Sequence, residues 1–165
     1  MQNLALGADY YKLAADQGNA VGQYNYGFCL QEGKGVMQNL TLGADYYKLS
    51  SDQGNALAQV NYAFCLQEGK GVLQNLTLGA DYYKLAADQG NALGQYNYGF
   101  CLQVGEGVEE DPALSAHYYK LAADQGNALA QLKYSFCLQM GKGVDQDPEL
   151  AAHYLKLHFK SSTNY

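Results

Sequence analysis

The chain has 165 residues, 48% of them apolar and 16% charged, with only two prolines, a composition that excludes a disordered or collagen-like polypeptide and is enough to bury a core. Its net charge of −6 is evenly spread: residues 1–82 carry 4 lysines and 7 acids, residues 83–165 carry 6 lysines and 9 acids, so each half is −3 and there is no basic arm or acidic tail. All ten basic residues are lysine, and without the bidentate arginine fork that favours phosphate and guanine, nucleic acid is not an expected partner.

The opening segment MQNLALGADYYK lacks a basic region followed by an apolar one, and nowhere do roughly 18 apolar residues run together, so neither a signal peptide nor a membrane span is expected. Residues 1–18 instead match the end of a unit that then recurs whole. The four cysteines, Cys29, Cys65, Cys101 and Cys137, are each 36 residues apart, and this offset divides the chain into units 19–54, 55–90, 91–126 and 127–162. The first two units agree at 29 of 36 positions, which identifies a tandem array read as one repeat domain over 1–165, with a half-unit at 1–18 and a short tail at 163–165.

Each unit contains two helical patterns. In NAVGQYNYGFCLQEG, Ala20, Gln23, Tyr26, Gly27 and Leu30 share one side, and Val21, Tyr24 and Phe28 form a second apolar stripe beside it, leaving mainly Asn25 and Glu32 for solvent. A helix so apolar around its circumference needs neighbours on both flanks. In NLTLGADYYKLSSDQG the inward stripe is Leu40, Gly43, Tyr46, Tyr47 and Ser50, with Thr41, Asp45, Lys48 and Asp52 facing away.

Capping residues bound these helices. Asn19, Asn55, Asn91 and Asn127 stand before the first helix of each unit, and Asn39, Asn75, Asp111 and Asp147 before the second, with Pro112 and Pro148 at the first helical position. Gly33, Gly69, Gly105 and Gly141 stop the first helix, and Gly18, Gly54, Gly90 and Gly126 follow the second, where a left-handed backbone is wanted. Helices are expected at 4–15, 20–32, 40–51, 56–68, 76–87, 92–104, 112–123, 128–140 and 148–159. Small residues recur at Ala20, Gly27 and Gly43, with Ala63, Ser135, Ser115 and Ala151 in equivalent places, and allow close helix crossings. The fold class expected is all-α, a right-handed superhelix of antiparallel hairpins.

The unit A-x-x-Q-x-x-Y-G-x-x-L-x-x-G-x-G-V-x-x-[ND], followed by YYK-x-AADQGNA, resembles the Sel-one-like repeat family, a branch of the tetratricopeptide-like solenoids. The likeness rests on Ala20, Gln23, Tyr26, Gly27, Gly33, Gly35, Val36, Asn39, Tyr46, Tyr47 and the run from Ala86 to Ala92, and it recurs in phase over residues 3–160. Gly43 and Gly79 stand where the family usually has alanine, and the tail from Leu155 to Tyr165 loses the AADQG ending. The resemblance implies an adaptor that assembles protein complexes. A cysteine-rich relative carries two cysteines per unit, whereas this chain has one.

Each residue type that suggests chemistry has a structural reading. Equivalent positions in stacked hairpins lie roughly 9–10 Å apart, beyond the roughly 4.4–6.8 Å Cα separation of a disulfide, so the cysteines are read as buried thiols, and a reducing, cytoplasmic location follows. His117 and His153 sit on the outward face of the second helix and His158 near the C-terminal end, with no metal-binding spacing. The E-G-K-G-V segment lacks the remainder of a phosphate loop and reads as a helix stop. The acidic run from Glu106 to Asp111 lacks the ligand order of a calcium loop and reads as a solvated turn. No catalytic residue, metal or cofactor is called.

Function is sought on the inner face that the resemblance implies for the first helices. Asn25, Asn61, Asn97 and Lys133 form a column there, flanked by Phe28, Phe64, Phe100 and Phe136 and by the series Glu32, Glu68, Val104 and Met140. Such a face suits an extended peptide, its main chain paired with amides and its side chains gripped by phenylalanines. Three readings stay open at this point: a protein or peptide scaffold, a spacer within a longer protein, and a hydrolase or small-molecule binder of the cysteine-rich kind. The half-unit also presents Leu6, Tyr10 and Ala14 without a first helix to cover them, so end-to-end self-association is expected.

Overall fold

The computed structural model describes residues 2–162, and the short tail expected at 163–165 lies outside the described residues. Among the described residues there are nine α-helices in chain order: α1 (Gln2–Asp16), α2 (Ala20–Glu32), α3 (Leu40–Asp52), α4 (Ala56–Glu68), α5 (Leu76–Asp88), α6 (Ala92–Val104), α7 (Pro112–Asp124), α8 (Ala128–Met140) and α9 (Pro148–Ser162). They begin and end within two or three residues of the positions the caps indicate. The asparagines before α2, α4, α6 and α8 accept from the N–H of Gly22, Ala58, Gly94 and Ala130, and Asn39, Asp111 and Asp147 do the same for Leu42, Leu114 and Leu150. Gly33 adopts φ +64°, and its N–H bonds back to the Cys29 carbonyl, closing α2 with a left-handed cap.

The chain divides into two compact units, Met1–Tyr82 and Tyr83–Tyr165, with the border inside α5. In the first unit Ala15, Tyr26 and Leu30 form one core cluster with Val36 and Tyr46 against it. Ala44, Tyr47, Tyr62, Cys65 and Leu66 form another with Tyr24, Val72 and Tyr82. In the second unit one cluster runs from Ala116 and Tyr119 on α7 through Tyr134, Cys137 and Leu138 on α8 to Ala151 and Tyr154 on α9. Val36, Val72 and Val144 of the G-x-G-V segments pack against these clusters.

The tyrosines do much of the joining. Tyr26–Tyr46 and Tyr62–Tyr82 in the first unit, and Tyr98–Tyr118 and Tyr134–Tyr154 in the second, meet edge-to-face with ring centroids 4.9–5.0 Å apart. Hydrogen bonds at a fixed separation of 30 residues tie successive repeats: Ser50 Oγ donates to the Ala20 carbonyl, Gln53 Nε2 to Gln23 Oε1, and Gln125 Nε2 to Gln95 Oε1. Although the tail of α9 departs from the repeat, it preserves this spacing with other chemistry. His158 Nδ1 meets the Ala128 carbonyl at 2.8 Å and Ser161 Oγ donates to Gln131 Oε1.

Small residues stand at the crossings. A Cβ on Gly27 would come within 3.0 Å of the Gly43 carbonyl oxygen and the Tyr47 ring, and one on Gly43 within 3.1 Å of the Gly27 carbonyl. The second glycine of G-x-G has a role that spacing does not reveal. Gly71, at φ +80°, lies so close to the start of α3 that a Cβ would sit 2.2 Å from the Leu40 carbonyl oxygen, and Gly143 bears the same relation to Pro112 at 2.0 Å. The loops after α2, α4 and α8 are thus seated on the backbone at the start of α1, α3 and α7, the second helix of the repeat before each.

Two details of the helical faces differ from the sequence reading. Val21 is 59% exposed and Phe28 37% exposed, because only Tyr24 of that second stripe finds a cover, the Tyr47 ring 5.9 Å away. Ala14 packs on α2 at Gly22, so the open flank of α1 is made by Leu4, Leu6, Tyr10 and Leu13.

Candidate functional site

The first helices α2 and α4 put an asparagine and a phenylalanine three residues apart, on adjacent turns of one side, and the glycine stop brings a lysine back beside them. In the first unit this yields a cleft of about 160 Å³ lined by Phe28, Gln31 and Glu32 of α2, Tyr47 of α3, Asn61, Phe64 and Cys65 of α4, and Lys70 of the following loop. Four predicted residues, Phe28, Glu32, Asn61 and Phe64, therefore meet in one place. Glu68 is exposed but does not line the cleft. A second cleft of about 390 Å³, between α1 and α2, holds Asn25 and Phe28 with Tyr11, Cys29 and Lys34 at the positions equivalent to Tyr47, Cys65 and Lys70.

Polar groups in the first cleft are part committed. Burial pushes the Tyr47 hydroxyl well above its ordinary pKa, while a hydrogen bond with the Asn61 side chain works the other way. Gln31 Nε2 donates to the Leu40 carbonyl, which leaves the buried Gln31 Oε1 without a partner. Phe64 is 47% exposed at the rim. The floor is inert: burial raises the Cys65 thiol to about 11, so it stays protonated at neutral pH.

In the second unit the equivalent cleft, about 220 Å³, is lined by Gln103, Lys133, Phe136, Cys137, Met140 and Lys142. Lys133 and Phe136 line it together, with Met140 beside them. Phe100 differs from its counterparts, being half-buried against the α7–α9 core with the Lys133 ammonium 5.5 Å from its ring centroid. Asn97 is half-buried, and Val104 is exposed. Because lysine replaces asparagine at 133, Tyr119 has no amide there and donates to Gln103 Oε1 instead.

The loop lysines are the site residues that the sequence reading passed over. Lys34 lies 4.5 Å from the centre of the Phe28 ring, and Lys70 and Lys142 line the clefts of Phe64 and Phe136. The signal was present, a lysine six residues after each of three phenylalanines, but G-K-G had already been accounted for as a helix stop. The other candidates are where a structural role puts them. His117 and His153 are exposed, edge-on to Tyr118 and Tyr154, and Asp111 caps α7. All four cysteines are buried free thiols. Among the described residues no group of three or more His, Cys, Asp or Glu side chains is placed to hold a metal ion, and no helix is long and apolar enough to cross a membrane.

Comparison with known proteins bears on this geometry. The Sel1 repeat family matches residues 1–19, 20–55, 56–91, 92–127 and 128–157. Among solved structures the chain is similar to a Sel1 repeat protein from Oxalobacter formigenes, with 28% identity and a TM-score of 0.87 over 94% of this chain and 62% of that one. It is also similar to c5321, a protective antigen present in uropathogenic Escherichia coli strains and displaying an SLR fold, with 29% identity and a TM-score of 0.90 over 94% of this chain and 33% of that one. The chain thus spans less than two thirds of either relative. The immunity protein Pa5087 from Pseudomonas aeruginosa shares the fold alone, at 16% identity and a TM-score of 0.53 over 95% of this chain and 74% of that one. No curated protein matches. Together these likenesses place the chain in the all-α class of solenoids built from paired antiparallel helices.

Proposed function

We propose, because this chain belongs to the Sel1 repeat family, whose members generally act as protein–protein interaction modules, that its first helices bind an extended peptide segment of a protein partner. The observation that carries this reading is the recurrent cleft in which a phenylalanine stays open to solvent. Phe28, Phe64 and Phe136 are 37%, 47% and 54% exposed, each beside a lysine and, in the first unit, beside asparagine. Single exposed apolar residues are ordinary, but an aromatic ring held at one repeating position with convergent polar groups is the composition of a recognition surface. The clefts are open to solvent, which suits side chains of a peptide better than a buried small molecule.

Selection from a random library of short peptides tests the proposal. Wild type is expected to enrich binders that an Asn61→Ala/Phe64→Ala variant, folded by circular dichroism, retains weakly or not at all. Equal retention by the two proteins would refute the first-unit cleft as the site.

A further inference from the structure

The clefts of the two units are built on one template, yet their charges differ in a concerted way. Where the first unit has Asn61, Glu68 and Glu32, the second has Lys133, Met140 and Val104. The first cleft is lined by Glu32 as well as Lys70 and is balanced. The second is lined by Lys133 and Lys142 with no carboxylate. Among the described residues neither lysine makes an ion pair, unlike Lys12, Lys48, Lys84 and Lys120 on second helices. Both cations act at the floor of the cleft, since Lys142 and Lys133 each work against the burial that raises the Cys137 thiol. In the same cleft Phe136 and Met140 are 54% and 70% exposed, an apolar seat beside the two cations.

From this we infer that the α8 cleft selects an acidic peptide, a carboxylate side chain set next to an apolar one, with the carboxylate between Lys133 and Lys142 and the apolar group on Phe136 and Met140. The inference rests on the peptide-binding reading above and narrows it. The overall charge of −6 opposes an acidic ligand only at long range. At physiological salt that field is screened within about 8 Å, whereas two ammonium groups lining the cleft act at contact. Lys133 is also restrained, its ammonium resting over the Phe100 ring, so less side-chain freedom is lost when it meets a carboxylate.

Peptides enriched from the random library by the Asn61→Ala/Phe64→Ala protein, which keeps the α8 cleft, supply the test, each compared by fluorescence anisotropy with its Asp→Asn/Glu→Gln counterpart; no enrichment by that protein would overturn the inference. The variant is Lys133→Asn/Met140→Glu, which restores residues that the fold accepts at 61 and 68. The binders are expected to combine an acidic residue with an adjacent apolar one, to weaken as salt is raised, and to lose about tenfold or more in affinity both on amidation and in the variant. Enriched binders without acidic residues, or acidic binders that the variant holds as well as the wild type, would overturn this inference and leave peptide binding standing. No enrichment at all by the wild type would overturn both.

Discussion

Replacing Gly143 by alanine should weaken the second unit by about 1–5 kcal/mol, more than the same change at Gly126, although both glycines have positive φ. At Gly126, φ +89°, no atom lies within 4 Å of the place a Cβ would occupy. Its cost is the left-handed backbone alone, about 1–2 kcal/mol, less about 0.4–1 kcal/mol returned by the stiffer unfolded chain. Gly143, φ +77°, carries the same terms and a collision, since its Cβ would be 2.0 Å from the Pro112 carbonyl oxygen and 2.8 Å from the Ala113 nitrogen. An ordinary carbon–oxygen contact is about 3.3 Å, so the loop must lift by more than an ångström, taking Val144 with it out of the α7–α9 core. Overpacking of that kind adds about 1–3 kcal/mol or more. Urea denaturation of the two variants in parallel, followed by far-ultraviolet circular dichroism, measures the difference; midpoints are compared, because a repeat array need not unfold in one step. Equal midpoints would refute the claim that the second glycine of G-x-G exists for close approach to the preceding repeat.

Gly99→Ala should be close to neutral, since its Cβ would be 3.1 Å from the Tyr119 ring and the repeat accepts Ala63 at the same place, whereas Gly99→Leu should cost about 1–3 kcal/mol; an unchanged denaturation midpoint for the leucine variant would refute that packing. On the acid side, burial tends to raise the Asp124 carboxyl, but hydrogen bonds from Lys120 and Tyr154 together with the Lys120 charge outweigh it and leave its pKa lowered. That stability is present above the ordinary carboxylate pKa and lost as pH falls through the folded one, so Tyr154→Phe should reduce the fall in thermal midpoint between neutral and strongly acid pH, and an identical acid profile would refute the role. On the alkaline side, burial raises Cys65 to about 11 and also raises the Tyr47 and Tyr119 hydroxyls. The folded chain then holds more protons than the unfolded one, so stability should fall as pH rises past the ordinary thiol and phenol values, with thiol-reagent labelling tracking unfolding; fast labelling of the folded chain at neutral pH would count against it. The flank of Leu4, Leu6, Tyr10 and Leu13 on α1 is expected to support self-association, and sedimentation velocity showing a monomer at every concentration would refute this.

Most of the helical frame was legible because it depends on local chemistry repeated in phase. Asn39 and Asp147 are caps in any context that puts a helix after them, and Gly33 closes α2 through a bond to a carbonyl four residues back. What was not legible depends on which surface meets which. Val21 and Phe28 are apolar at spacing that suits a buried stripe, and nothing in the letters says that Tyr47 covers Tyr24 and leaves those two open. The candidate cleft was half legible for the same reason. Asn61 and Phe64 share a helix face by period alone, but Lys70 and Tyr47 join them only through the course of a loop and the crossing of α3 with α4. Likewise Gln23 and Gln53 read as one inward and one terminal polar residue, and their bond exists only once two repeats are stacked.

The contacts at a separation of 30 residues have a genetic consequence. Ser50 to Ala20, Tyr118 to Asp88, Tyr154 to Asp124 and Ser161 to Gln131 all reach back by that interval. Unequal recombination that adds or removes a whole 36-residue unit leaves every such donor opposite an acceptor of the same kind, so array length can drift between lineages at little energetic cost. A frame-preserving deletion of one codon within a helix, by contrast, turns everything beyond it by about 100° and unseats the rings, amides and hydroxyls together. Number of repeats is therefore the variable that mutation explores freely in such a gene, while the period itself is held.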